Sequence, residues 1–156
     1  MGRFIPNDNT WLGFSPTLTG TVDAPKVADI TGAVDLTHWL TSINAAGTGS
    51  AVPTPAFDTK FEESIDGTVQ GTFTADFYRD DDPDEDLAWT TLPRGTKGYF
   101  LISRSGGEPA ATDRCEVWPV TVLSRAVPNE TNNAPVTFTL TCSIPAEPGE
   151  DSVVAT

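Results

Sequence analysis

The chain has 156 residues and a formal net charge of −13 at pH 7, with 13 glycines and 13 prolines. This length fits one domain whose core forms without a metal or a disulfide framework. A surface this negative repels phosphates, which disfavours ordinary nucleic-acid binding. The glycine and proline content favours many short strands joined by turns over long helices.

Residues 1–24 show no regular hydrophobic period, although they include the large side chains of Trp11 and Phe14. We expect an extended arm rather than a core element, with its aromatic side chains against a partner surface. Regular structure is predicted to begin near Val27. Alternation over Val34–Leu40 then predicts a strand with His38 on its buried face.

The middle of the chain alternates between segments rich in glycine and proline and segments with a regular hydrophobic spacing. Ser42–Pro55 is rich in glycine, proline and small residues, which predicts a long flexible loop. Phenylalanines four residues apart in Phe57–Ile65 favour a turn or two of helix, capped by Asp58 or Thr59. Strict alternation over Val69–Tyr78 predicts a long, half-buried strand.

A second helix is predicted after the acidic run, where Pro83 precedes acids that suit a helix N-terminus, and Pro93 with Gly95 ends it. Three strands should follow. Gly98–Arg104 is the first, and Cys115–Ser124, apolar on both faces, should be covered on both sides. Val136–Ile144 has one apolar face and one row of threonines.

The fold class expected is therefore mainly β: a β-sandwich or small barrel with one short flanking α-helix, an extended N-terminal arm and a long inter-strand loop. We expect a single domain over residues 1–156. It divides into an arm (1–24), a β-sandwich core (25–145) and a loose acidic tail (146–156).

Catalytic and cofactor motifs are absent from the sequence, and its single histidine, His38, is expected to be a core or interface residue. We therefore predict no enzymatic activity and no cofactor. The run Asp80–Asp86 departs from a calcium-binding EF-hand loop, because Glu85 and Thr91 stand at its sixth and twelfth positions. A solvated acidic face is the default interpretation, and weak cation binding stays open.

Cys115 and Cys142 have no metal-binding spacing, which favours two reduced core residues, with pairing between strands as the alternative. No apolar run approaches the length of a membrane span, and the N-terminus lacks a secretory pattern. We therefore expect no membrane partner and synthesis in the cytoplasm.

The order of several sequence segments resembles that found in a known protein family. The first part of the pattern is the segment VPTPAFDTKFEESIDGT, followed by a long alternating strand that ends in FYRDDD. A tryptophan and the segment LPRGTKGYFLI come next. The pattern ends with VWPVTV, Asn129-Glu130 and a final alternating strand. Over roughly residues 27–150 the chain resembles the major tail proteins, or tail tube proteins, of long-tailed, non-contractile phages that infect actinobacteria.

The resemblance implies a structural virion protein that forms hexameric rings. The rings stack into a tube whose lumen passes double-stranded DNA to the host without specific binding. It further implies assembly in the host cytoplasm, localisation in the virion tail, and partners that include the tape measure, tail terminator and distal tail proteins.

Within this family, arms and long loops join subunits and rings, which makes six residues candidates for such contacts: Trp11, Phe14, Asn44, Gly47, Gly49 and Pro53. The acids of the run are candidates for an acidic surface or lumen: Asp80, Asp81, Asp82, Asp84, Glu85 and Asp86. The threonine row of Val136–Ile144 offers an uncharged polar face for a channel or a subunit junction.

Two other functions remain open from the sequence. A head decoration or tail terminator protein would share the symmetry but stop at a single ring or cluster. An immunoglobulin-like or carbohydrate-binding surface module would present aromatic side chains on one face, whereas the four tryptophans here are spread along the chain.

Overall fold

The computed structural model describes residues 10–54, 57, 63–104, 106–127 and 130–156. Within them, eight strands form one antiparallel sheet. The strands are β1 (Trp11–Ser15), β2 (Val34–Asp35), β3 (Leu40–Thr54), β4 (Glu63–Tyr78), β5 (Lys97–Ser103), β6 (Arg114–Ala126), β7 (Thr137–Ser143) and β8 (Gly149–Val153). Two short α-helices, α1 (Val27–Thr31) and α2 (Leu87–Thr91), and a 3-10 turn (Thr37–Trp39) complete the regular structure.

The strand order is β2-β1-β5-β6-β7-β4-β3, and β8 pairs with β6. Strand β6 is long enough to belong to two half-sheets. Its first half lies between β5 and β8, and its second half, from Thr121 to Ala126, pairs with β7. The chain therefore builds one half-sheet from β1, β5 and β6, and another from β6, β7, β4 and β3.

The two half-sheets pack face to face. Phe73 of β4 stacks on Phe100 of β5, with ring centroids 4.6 Å apart and planes 3° apart, although these strands are not neighbours in the sheet. Such a contact requires the sheet to curl over its own apolar face. The fully buried side chains between the halves include Phe73, Phe77, Phe100, Phe138, Leu12, Leu36, Leu92 and Leu140. This arrangement confirms the predicted mainly-β, sandwich-like fold.

A second, smaller core covers the other face of β5 and β6. It joins Ile30 of α1 to Leu101 and Val117, and Val154 closes it from the C-terminal end. The prediction that the Cys115–Ser124 segment is covered on both faces is confirmed for its first half, residues 115–120, and is wrong for its end, where Leu123 and Ser124 are exposed. The prediction of a single helix is wrong, because α1 forms this outer layer while α2 closes one end of the main core.

Both terminal segments enter the sheet, contrary to the sequence prediction. Trp11–Ser15 is strand β1, paired with β5 and β2, so the predicted arm is wrong for these residues. The tail is not loose, since Gly149–Val153 pairs with β6 and the Ser152 hydroxyl donates to the Val22 carbonyl at 2.6 Å. Short strands of mixed composition show too little periodicity to be found by alternation alone.

The segment predicted as a long loop, Ser42–Pro55, lies mostly in strand β3, paired with β4 along its whole length. Glycine, alanine and proline are tolerated here because β3 is an edge strand with little to pack against. Of the helix predicted over Phe57–Ile65, residues 58–62 lie outside the described part, and the chain from Glu63 onward is strand β4.

Val34–Leu40 is mostly not a strand, because only Val34–Asp35 pairs with β1. The Thr37 amide donates to the Asp35 carboxylate at 3.0 Å, and the Thr37 hydroxyl oxygen accepts from the Leu12 amide at 2.9 Å. These local bonds favour a turn over continued strand. His38 is consequently exposed rather than buried, with its ring edge-on to Trp39.

The two cysteines are free and lie in different cores, Cys142 in the main core and Cys115 in the smaller one. The alternative of a disulfide between them is therefore wrong. Burial raises the pKa of the Cys115 thiol to about 11 and that of Cys142 to about 12.

Asp29 anchors α1 to the preceding loop. Its buried carboxylate accepts from the Thr19 amide at 2.7 Å, the Thr19 hydroxyl at 2.8 Å, and the Gly20 and Lys26 amides at 3.0 Å. Burial acts to raise the pKa of this group, but the four hydrogen bonds outweigh it and lower the pKa below its ordinary value of 3.8.

We predict that Asp29→Asn lowers the free energy of unfolding by about 2 kcal/mol, a fall in Tm of about 4–8 °C. An amide offers one acceptor oxygen, so its NH₂ group would face the Thr19 amide in one orientation and the Gly20 and Lys26 amides in the other. Calorimetry at pH 7 checks this, with Asp23→Asn as the control at an exposed carboxylate.

The same bonds set the pH dependence. Because the pKa is lower in the folded state, the stabilisation is complete above the unfolded pKa and is lost as the pH falls through the folded value. The deficit of Asp29→Asn relative to the natural chain should therefore shrink below about pH 4. An equal deficit at pH 7 and pH 2.5 would contradict this account.

Candidate assembly surfaces

The outer face of the second half-sheet is covered by small polar side chains. Residues paired across the strands share a face, which places Asn44, Thr74, Thr141 and Ser124 in one transverse row. Neighbouring rows add Ser42, Asp76, Thr139 and Ala126, then Ala46, Thr72, Ser143 and Thr121. The predicted alternation of an apolar face and a threonine row in β7 is thus confirmed. We call these rows the hydroxyl face.

Asp76 is the one carboxylate in these rows. It accepts from the Ser42 hydroxyl at 2.7 Å and from the Thr139 hydroxyl at 2.6 Å, one on each neighbouring strand. The charge is therefore tied to the sheet by hydrogen bonds across three strands. Hydroxyl groups that would otherwise point to solvent are also held in place by it.

The β3–β4 hairpin extends beyond the rest of the sheet. Pairing between β4 and β7 ends at Thr72 and Ser143, whereas pairing between β3 and β4 continues to Thr54 and Glu63. The hairpin thus projects by about eight residues, or about 25 Å. An isolated two-stranded hairpin is marginally stable in water, so this projection favours a partner surface.

Four of the predicted contact residues lie on β3 rather than in a loop: Asn44, Gly47, Gly49 and Pro53. All four are exposed. Asn44 belongs to the hydroxyl face, Gly47 marks the base of the projection, and Gly49 and Pro53 lie within it. These residues are exposed as expected, but they lie in an edge strand rather than in the predicted flexible loop.

The other two predicted contact residues are in the protomer's own interior. Trp11 is 5% exposed in the smaller core and Phe14 is 2% exposed in the main core, edge-on to Phe100 at 5.2 Å. Intramolecular packing therefore accounts for both aromatic side chains.

The half-sheet has two open edges among the described residues. β3 ends the strand order, and on the other side β5 stops pairing with β6 at Thr121. Beyond that point lie two exposed apolar side chains, Leu123 (48% exposed) and Val127 (42% exposed). Open edges with apolar neighbours are the usual places for strand pairing between chains.

The acidic run divides into two parts. Residues 81–85 form an exposed turn, whereas Asp86 is buried next to α2 and pairs with Arg79 at 2.7 Å. A helix exists here as α2, but it begins at Leu87 with no acid in its first turn, so the prediction that acids 84–86 form its first turn is wrong. Asp86 does not belong to the solvated acidic face. Among described residues, no group of three histidine, cysteine or acidic side chains is arranged to hold a metal ion.

Sequence reasoning missed a cation–aromatic cluster on α2. The guanidinium carbons of Arg79 and Arg125 lie 3.9 and 3.7 Å from the centre of the Trp89 ring, and Arg125 donates to the Trp89 carbonyl at 2.6 Å. Phe138 contacts the same ring edge-on at 5.1 Å. The cluster ties the ends of β4 and β6 to α2. No sequence signal could find it, because the participants are far apart in the chain.

A groove of about 650 Å³ lies at the base of the projecting hairpin. Gly47 and Gly71 form one wall, and the connection between β7 and β8, from Ile144 to Glu150, forms another. A side chain at Gly71 would collide with Ile144, whose nearest atom lies 2.8 Å from the ideal Cβ position. Glycine at this position therefore lets the hairpin pass close to Ile144.

A comparison with known protein families identifies the family of this chain. A family model described as "Phage tail tube protein" matches residues 1–156. The chain belongs to the phage tail tube protein family. No curated protein matches its sequence.

Solved structures share the fold of this tail tube protein. A chain from the virion of a native gene transfer agent particle aligns with a TM-score of 0.57 at 7% identity, over 93% of this chain and 96% of that one. A chain from the tail of an empty gene transfer agent particle, refined with C6 symmetry, gives 0.53 at 9%, over 88% and 92%. A chain from the six-fold symmetrised baseplate of the anti-feeding prophage gives 0.54 at 8%, over 95% of both.

No helix among the described residues has the length and apolar character needed to cross a membrane. The family is one of structural tail proteins.

The edge strand and an interior strand of the half-sheet should differ in amide protection. In the isolated protein we expect the edge segment 47–54 to exchange its amide hydrogens about a hundredfold faster than Thr137–Ser143, which is paired on both sides. Peptide-level hydrogen exchange measured by mass spectrometry checks this. Equal protection of the two segments in a monomer would contradict the described edge.

Proposed function

We propose that six copies of this chain form a ring, that rings stack into the tail tube, and that its lumen conducts double-stranded DNA. The family assignment supports the structural role. The six-fold symmetry of the assemblies that contain chains of the same fold supports the ring size. The observation that carries the proposal is the half-sheet with two open edges, β3 on one side and the second half of β6 on the other.

The strand directions are compatible with ring closure. β3 is antiparallel to β4, β4 to β7, and β7 to β6, so β3 of one copy would meet β6 of the next in antiparallel fashion. Six half-sheets joined in this way make one continuous barrel. Closure removes the open edges, which is the strongest protection that a sheet has against uncontrolled pairing.

We assign the hydroxyl face to the lumen wall. Its side chains are short and polar, and its single acid in each copy, Asp76, adds negative charge around the channel. The face offers no lysine or arginine in its central rows to hold DNA phosphates. The smaller core, with α1 on the opposite side of β5 and β6, then belongs to the outer wall.

The projecting hairpin is assigned to contacts between rings. Its described side chains in segment 47–54 are exposed, and no third strand supports it among the described residues. Contact with the next ring would bury this surface. We further propose the virion tail as the location, with assembly in the host cytoplasm alongside tape measure, terminator and distal tail proteins.

We expect Val127→Asp to reduce assembly into tubes about tenfold or more, because a carboxylate would be buried at the proposed junction beside β6. Electron microscopy and sedimentation of the concentrated protein measure tube mass. Val153→Asp, at a position of similar exposure on β8 in the outer layer, is the matched control and should assemble normally.

Equal tube formation by the two variants would show that the β6 edge is not part of the junction.

A head decoration or tail terminator role predicts a different product, namely single rings or discrete clusters without stacking. Long hollow tubes of uniform width from the natural chain distinguish the tube role from both.

A further inference from the structure

Arg94, on the turn between α2 and β5, and Lys97, the first residue of β5, are exposed cations. Three other arginines, Arg79, Arg104 and Arg114, form ion pairs with carboxylates of the same chain. Among the described residues, no carboxylate lies within ion-pair distance of Arg94 or Lys97. In a chain with 22 acids and nine bases, such cations are scarce and available for a partner.

The turn is held in a fixed position. The Gly95 amide donates to the Val122 carbonyl at 2.9 Å, and the Val122 amide donates to the Thr96 carbonyl at 2.8 Å. Gly95 has φ +88°, a conformation that favours glycine. The turn is thus fastened to β6 where the proposed ring edge begins, so its two cations are presented on a preorganised backbone.

The groove at the hairpin base carries the opposite charge. Glu147 and Glu150 are exposed on its wall, and neither forms an ion pair among the described residues. Gly47 and Gly71 form the facing wall. The groove therefore joins an apolar floor, which includes Trp118 and Ile144, to a rim that attracts cations.

The register of the sheet places the cationic Pro93–Lys97 turn and the groove at the same height, on opposite sides of the protomer. Lys97 pairs with Thr121, Thr121 with Ser143, Ser143 with Thr72, and Thr72 with Ala46. One transverse row thus begins at the cationic turn and ends beside Gly47 and the groove. A ring that joins β6 of one copy to β3 of the next brings the two ends of such rows together.

We propose that the Pro93–Lys97 turn of one copy docks at the Glu147/Glu150 groove of its neighbour in the ring. The inference rests on the proposed ring and names the charged contact that fixes which edges meet. Copies with a net charge of −13 repel one another, and a local pair of opposite charges orients the encounter. The occupant of the groove is thus a second copy of this chain.

Charge reversal tests the contact. Lys97→Glu and Glu150→Lys should each reduce tube mass about tenfold, equivalent to about 1.4 kcal/mol. The double variant restores opposite charges and should recover most of the natural yield. Lys26→Glu and Glu108→Lys make the same charge changes at exposed positions away from the contact and should have little effect. Circular dichroism checks that every variant is folded.

Disulfide trapping gives a readout that does not require stable tubes. A chain with both Lys97→Cys and Glu150→Cys, oxidised at high concentration, should give a ladder of covalent oligomers that ends at the hexamer. Each single cysteine variant should stop at dimers or monomers. The natural thiols are buried and should not contribute.

The outcomes separate the two proposals. If the natural chain forms tubes, three results would overturn the charged contact while the ring stands. The reversal variants would assemble normally, the double variant would not recover tube mass, or the control variants would lose as much tube mass as the reversal variants. Failure of the natural chain to form tubes at any concentration, together with no covalent ladder, would overturn the proposed ring and this contact with it.

Discussion

The stacking of Phe73 on Phe100 is the contact on which the fold depends. It joins strands that are not neighbours in the sheet, so it forms only when the sheet curls and its two halves face each other. Phe14 and Trp118 pack around the same pair. Because the apolar side of β4 is committed to this interior, its alternate residues must form a polar surface on the other side.

That commitment explains the assembly surfaces as well. A half-sheet with one face in the core has only its outer face and its edges left for other molecules. The outer face is polar, and the edges carry unpaired backbone next to Leu123 and Val127. The outer face is accordingly suited to solvent or a passing polymer, and the edges are suited to other copies. Both proposed roles arise from the same packing constraint.

Periodicity in the sequence predicted the elements that have one clear buried face. Strand β4 from Val69 onward and strand β7 with its threonine row were found in this way. Strand β6 was found as a segment that is apolar on both faces, and α2 from the proline, acidic and glycine residues around it. The failures share a cause. β1 and β8 are five residues long, and β3 is built from small residues, so their place in the sheet depends on tertiary pairing rather than on alternation. His38 was misplaced because the Asp35–Thr37 bonds end the strand before it. The Trp89 cluster and the groove bring together residues distant in sequence, which no local pattern records.

The hydrogen bonds around Asp76 have a consequence for friction in the proposed tube. A wall of free hydroxyl groups would offer donors to every phosphate that passed and would slow the polymer by many weak, transient attachments. Here the Ser42 and Thr139 protons are directed to Asp76, and the Thr74 hydroxyl donates to the Asn44 carbonyl at 3.4 Å. Part of the donor capacity of the wall is thus used up within the wall itself. Fewer hydroxyl protons are therefore left to donate to a passing phosphate, which should lower the friction between the proposed lumen wall and DNA.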